Sequence, residues 1–111
     1  MKVINRIKRS QDFKKTMHDS LRKRTDEYKV FLKKNELGHM RIGISTSKTL
    51  GNAVVRARIR RQVRAFFSIY NIYNNNYDIV IVVQRGFLKK TSTENRDELL
   101  SIINALMTKE K

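Results

Sequence analysis

Apolar residues recur along this chain with two different periods, and the switches between them mark out the elements. From Tyr28 to Lys34 the period is two. Tyr28, Val30 and Leu32 point one way, and Lys29, Phe31 and Lys33 the other, as along a strand. Met40 to Ser47 repeats the alternation, with Met40, Ile42 and Ile44 on one side and Arg41, Gly43, Ser45 and Ser47 on the other. Asn35 to Gly38, between these two strands, reads as a turn. Asp78 to Gln84 (DIVIVVQ) is aliphatic on both faces, which predicts an interior strand covered on each side.

Helical spacing appears in three places. Ser10 offers a cap for a short helix over Gln11 to Asp19, where Phe13 and Met17 lie four apart on one face. Between Leu50 and Tyr70 the residues Val55, Ile59, Val63, Phe66, Phe67 and Tyr70 gather on one side of a helix. Asn52 can cap it by accepting an orphan N–H of the first turn, and Gly51 lets the chain enter at an unusual angle. Thr91 and Glu94 have capping-box spacing for a last helix, on which Leu99, Ile102, Ile103, Leu106 and Met107 form a buried stripe. Asn71 to Tyr77 and Lys89 to Ser92 read as loops. The polar stretch Ser20 to Glu27 has room for one minor strand. The order α-β-β-α-β-α predicts an α/β (α+β) two-layer sandwich, one domain over residues 1–111, with residues 1–9 as a flexible basic arm.

Charge changes the picture. Twenty-five basic and ten acidic residues give a net charge of +15, and no acid occurs from Leu37 to Tyr77, where seven basic residues lie. Such a chain repels itself and concentrates polyanions around it. There is no cysteine for disulfides or a Cys-based zinc site. The N-terminus lacks the apolar region of a signal peptide, and the run Ile79 to Val83 is far too short to span a bilayer. A cytoplasmic protein with no membrane partner is expected.

Within the second helix five arginines, Arg56, Arg58, Arg60, Arg61 and Arg64, fall in nine residues uninterrupted by any acid. A solvated helix face usually mixes signs to gain ion pairs four residues apart. This one does not, and guanidinium groups suit phosphates through paired hydrogen bonds, so a nucleic-acid partner is predicted. On the second strand face Phe31 sits between Lys29 and Lys33, the pattern of a single-strand binding surface; equally, a helix could cover it. Phe13 either packs on the core or stands at the rim of a cleft. The small residues Gly43, Ser45 and Ser47 leave room for something to lie against their face.

Catalytic chemistry is missing. His18 and His39 are 21 residues apart with no metal-ligand spacing, and the ten carboxylates include no DxD or ExD pair to hold two metal ions. There is no Walker loop and no dinucleotide glycine fingerprint. No catalytic or metal-ligating residue is assigned, and any hydrolysis is expected of another molecule.

The run RIGISTSKTLGNAVVRARIRRQVR, Arg41 to Arg64, closely resembles the signature of the bacterial ribonuclease P protein subunit. The Asp12–Phe13 helix, the aromatic-bearing strand, the aliphatic strand ending at Arg85 and the terminal amphipathic helix agree with it. The resemblance implies a protein that assists a catalytic RNA in removing the 5′ leader of precursor tRNA, the RNA and its bound Mg²⁺ performing the hydrolysis. It implies that Arg56, Arg58, Arg60, Arg61 and Arg64, with Lys48 and Asn52 beside them, face the catalytic RNA. It implies a leader cleft at Phe13, Phe31 and Ser45, edged by Met17 and flanked by Lys29 and Lys33. It also implies a mixed sheet with a left-handed β-α-β crossover, against the usual right-handed preference. No DNA partner is implied. Three positions depart from the family pattern: Ala57 stands in the middle of a motif that commonly reads Arg-Asn-Arg, Thr49 where a second lysine is common, and Met17 where an aromatic is frequent. The rival functions are a ribosomal or RNA-chaperone protein, a nuclease using its own side chains, and a peripheral membrane protein.

Overall fold

A computed structural model describes residues 6–7, 10–18, 20–69 and 76–110. Among them the element order is α1 (Ser10–Met17), β1 (Leu21–Arg24), β2 (Tyr28–Lys34), β3 (Arg41–Thr46), α2 (Ala53–Phe66), β4 (Tyr77–Val83) and α3 (Ser92–Glu110). The four strands form one mixed sheet in the order β1-β2-β4-β3. β1 and β4 run antiparallel to β2, whereas β3 runs parallel to β4, so α2 is the crossover between two neighbouring parallel strands. The minor strand for which the polar segment had room is β1. The Ser10 side chain, Asp19, Tyr70, the loop 71–75 and most of the expected basic arm lie outside the described residues.

Strand β4 has a partner on each side and is covered on each face, which is why its sequence shows no alternation. Ile79, Ile81 and Val83 join Tyr28, Val30 and Leu32 of β2 in the main core, beneath Ile59, Val63 and Phe66 of α2 and Leu99, Ile102, Ile103 and Leu106 of α3. Burying each of these side chains stabilises the fold by about 1.5–3 kcal/mol. Tyr28 anchors the far end of this layer. Its hydroxyl donates to the Asn95 carbonyl at 2.8 Å, and its ring meets Phe87 edge-on at 5.9 Å between centroids. Burial pushes the Tyr28 phenol well above its ordinary pKa.

The helix boundaries follow the local chemistry. Asn52 caps α2 as expected, its side-chain oxygen accepting the Val55 N–H at 3.0 Å. The helix ends at Phe66, and Phe67–Ile69 continue as a tighter 3-10 turn. At the start of α3 the box is reciprocal: the Thr91 N–H donates to the Glu94 carboxylate at 3.0 Å, and the Glu94 N–H to the Thr91 hydroxyl at 3.1 Å. Beyond the aliphatic strand Arg85–Lys89 makes a 3-10 turn, which takes in the first residue of the expected loop Lys89 to Ser92, and Ser92, the last, already belongs to α3.

The other face of the sheet is covered differently. Here α1 lies across β2 and β4, and a small second cluster forms from Ile7, Phe31 and Val80 with Phe13 and Val82 half-buried against it. Arg6 and Ile7 run parallel to β3 along its outer edge, and the Ile7 N–H donates to the Ile42 carbonyl at 2.9 Å. Arg41 ties α1 to the sheet. Its guanidinium grips the buried Asp78 through two hydrogen bonds of 2.9 and 2.7 Å and reaches Asp12 of α1 at 3.8 Å. The hydrogen bonds from Arg41 to Asp78 raise its pKa, against a lowering by burial. Gly43 completes the seat of α1, because a Cβ there would come within 2.7 Å of the Phe13 ring.

Candidate nucleic-acid interface

Helix α1 is short, so it covers only part of its face and leaves a groove of about 580 Å³ beside it. Phe13, Lys14 and Met17 of α1 form one wall. Ile44, Ser45 and Thr46 of β3 and Val80 and Val82 of β4 supply the sheet side, and Arg60 comes in from α2. Phe13 is half-buried and Met17 is exposed, so both offer apolar surface to an occupant. No acid lines the groove. An apolar floor between cations suits the bases and phosphates of a single strand better than it suits a folded protein surface.

Val82 also lines a second cavity of about 580 Å³ at the C-terminal ends of β3 and β4, so the two depressions share a floor residue. Arg24, Arg85, Lys89 and Lys90 surround this second one together with the Ser47 and Thr49 hydroxyls, which share a hydrogen bond of 2.6 Å; one acid, Asp26, also lines it. Its back wall is a close backbone contact. The Gly86 N–H donates to the Asp26 carbonyl at 3.1 Å, and a Cβ at Gly86 would collide with that carbonyl. An apolar trough and a basic basin thus adjoin at Val82. The four basic residues of the basin come from two distant stretches of chain. No local pattern in the sequence marks the basin; of the RGFLKK run after β4, only Lys89 and Lys90 fall in the stretch that reads as a loop.

The residues expected to form the cleft do not all reach it. Phe13, Met17 and Ser45 line the groove. Phe31 does not: it is buried beneath the α1 layer, and the Arg22 guanidinium lies over its ring at 5.4 Å from the centroid. Of the two settings open to Phe31, the fold takes the covered one, so its ring is not available for stacking on a base. Lys33 is taken up locally, its ammonium 3.4 Å from the Lys15 carbonyl near the end of α1. Lys29 pairs in register with Arg24 and Val82, which places it beside the basic basin rather than in the apolar trough.

The five arginines of α2 split into two sets. Arg58 and Arg61 are exposed, and with Val54 they form the outer face of the helix, while Asn52 and Ala53 are exposed at its start. Arg56, Arg60 and Arg64 are half-buried, and Arg60 and Arg64 lie beside residues of β3. Arg60 donates to the Thr46 hydroxyl at 2.7 Å. Arg64 and Arg6 line a small pocket of about 230 Å³ with Ile7 and Phe13. Burial lowers the pKa of Arg64, and the neighbouring charges of Arg6 and Arg60 lower it further. These like charges repel one another in the free protein, and an anion laid against them would relieve that repulsion. Lys48 is exposed in the 3-10 turn Lys48–Leu50 that leads into the helix. Among the described residues no group of three His, Asp or Glu converges to hold a metal, and no helix is long and apolar enough to cross a membrane.

The sequence and the fold both have known counterparts. The family model for ribonuclease P matches residues 1–107. The ribonuclease P protein component of Mesoplasma florum is 31% identical over 105 residues, which span 93% of this chain and 96% of that protein. The counterpart from Staphylococcus epidermidis is 36% identical over 104 residues, 93% of this chain and 90% of that one. The solved structure of the Staphylococcus aureus RNase P protein aligns with a TM-score of 0.83 at 28% identity, covering 91% of this chain and 94% of that one.

Proposed function

The chain belongs to the ribonuclease P protein family, and from that membership we propose that it binds the 5′ leader of precursor tRNA in the groove beside α1 and the catalytic RNA on the outer face of α2. It is the protein component of an endoribonuclease, with an RNA subunit as its partner. In this proposal the RNA performs the hydrolysis in the cytoplasm, and Mg²⁺ is bound by the RNA and the substrate. The protein's share is physical. Two polyanions must come together, and a partner carrying +15 lowers their repulsion.

One observation carries the leader assignment: the apolar trough of Phe13, Met17, Val80 and Val82 adjoins, at Val82, a basin of four basic side chains. Bases stacked in the trough would contribute about 1–3 kcal/mol each, while the backbone follows the basic end. Precursor tRNA has a leader to place there and mature tRNA has none, so binding energy is spent on substrate and withheld from product.

Cleavage of a 5′-labelled precursor tRNA at low Mg²⁺ tests this. Protein alone, a bacterial ribonuclease P RNA alone, and the two together are compared. Activity at low Mg²⁺ only in the mixture, with the cut at the mature 5′ end, is the expected result. Cutting by the protein alone would overturn the assignment of chemistry to the RNA. No stimulation of a competent RNA would point instead to a general RNA-binding role, which predicts equal affinity for precursor and mature tRNA.

A further inference from the structure

We propose that Arg60 belongs to the substrate groove rather than to the face that meets the catalytic RNA, and that it donates to a phosphodiester of the strand lying there. This rests on the groove being the seat of the leader, and it divides the arginine helix into two sets with different partners.

Helix geometry already separates these residues. At roughly 100° per residue, Arg61 lies about 100° and Arg58 about 160° around the axis from Arg60. One RNA surface docked on Arg58 and Arg61 therefore does not reach Arg60 without wrapping the helix. The structure turns Arg60 the other way. It is half-buried, it lines the groove, and it is fixed by its bond of 2.7 Å to the hydroxyl of Thr46, the last residue of β3. That bond engages one of five guanidinium donors and sets the plane of the fork.

The groove itself specifies the ligand. Its apolar surface comes from Phe13 and Met17 on one wall and from Ile44, Val80 and Val82 on the sheet side, and its two cations are Lys14 from α1 and Arg60 from α2. A strand whose bases lie on Phe13, Val80 and Val82 has its backbone at the lips, within the province of those two side chains. The ligand class is thus a single-stranded polyanion with flat apolar bases. A lone phosphate would leave the apolar floor unused.

The test compares Arg60→Gln with Arg61→Gln in the assembled holoenzyme. Two quantities are measured for each: affinity for the catalytic RNA without substrate, and the ratio of precursor to mature tRNA affinity. Arg60→Gln should lower the precursor preference by about tenfold, the scale of one lost hydrogen bond to a charged group, with a smaller effect on catalytic-RNA affinity. Arg61→Gln should do the reverse. Thr46→Val, which removes only the anchor of the guanidinium, should reproduce part of the Arg60 effect. Thermal melts of the free proteins separate these effects from misfolding.

If Arg60→Gln weakens the catalytic-RNA complex as much as Arg61→Gln and leaves the preference intact, the assignment of Arg60 is overturned while the leader reading stands. A wild-type preference of one would remove the leader reading, and the assignment of Arg60 with it.

Discussion

The two faces of the sheet are made of similar strands and end in opposite states. On one face α2 and α3 close over Tyr28, Val30, Leu32, Ile79 and Ile81, each with no exposed surface. On the other, a helix of eight residues covers Phe31 and Val80 and leaves Val82, Ile44 and Ser45 bordering a groove. The difference lies in how much apolar length each covering helix brings. The 19 residues of α3 carry four fully buried aliphatic side chains, whereas α1 brings only Phe13 and Met17. One face is a core, and the other keeps apolar surface uncovered. A net charge of +15 opposes the pairing of two such apolar faces, because like charges repel.

The largest effect should come from breaking the closed face. Leu99→Ala removes a side chain with no exposed surface from between α3 and the sheet. A loss of about 2–5 kcal/mol is expected, read as a lower urea midpoint with an unchanged slope. Because the groove lies on the opposite face, the molecules still folded should keep their preference for precursor tRNA. A folded population that had lost that preference would show that the two faces are not independent.

A smaller change on the open face should do the opposite. In Gly43→Ala the new Cβ stands 2.7 Å from the Phe13 ring and 3.2 Å from Ile7, so α1 or its phenyl ring must shift. Overpacking of this kind costs about 1 kcal/mol at its low end, which suits a site where one wall can give way. Stability should therefore fall little while leader discrimination falls measurably, with catalytic-RNA affinity retained. Discrimination equal to wild type would mean that the position of Phe13 does not shape the groove.

The closed face was the more legible of the two. Alternation in β2 and β3, the unbroken aliphatic run of β4, the Asn52 cap and the Thr91–Glu94 box each follow from contacts within a few residues, and each is present. The open face depends on which distant pieces meet. Phe31 between two lysines has the same pattern whether solvent or α1 lies over it, and only the docking of α1, through Arg41 between Asp12 and Asp78, decides the matter. The split of the arginines was hidden for a related reason. Periodicity shows that Arg56, Arg60 and Arg64 share a stripe, but not that β3 lies beside that stripe with Thr46 facing it. Likewise, the basin joins Arg24 to Arg85, Lys89 and Lys90 across the sheet, a meeting that no local pattern encodes.

The smallest effect sharpens the comparison through pH. The Glu94 carboxylate is held below its ordinary pKa by its hydrogen bonds with Thr91, backbone first and side chain second, and to a lesser degree by Lys90. A carboxylate whose folded pKa is depressed stabilises the fold fully above its unfolded value, and that contribution disappears as the pH falls through the folded value. Glu94→Gln keeps an oxygen to accept the Thr91 N–H but loses the charge at the start of α3. The variant should therefore melt slightly below wild type at neutral pH, and the gap should close between about pH 5 and pH 3 as the wild-type carboxylate protonates. Thermal melts of both proteins across that range measure it, the other acids cancelling in the difference. A gap that stayed constant in acid would mean that the charge contributes nothing and the box acts through hydrogen bonding alone. Since Glu94 serves only the helix that closes the core, precursor preference at neutral pH should be the same in both proteins.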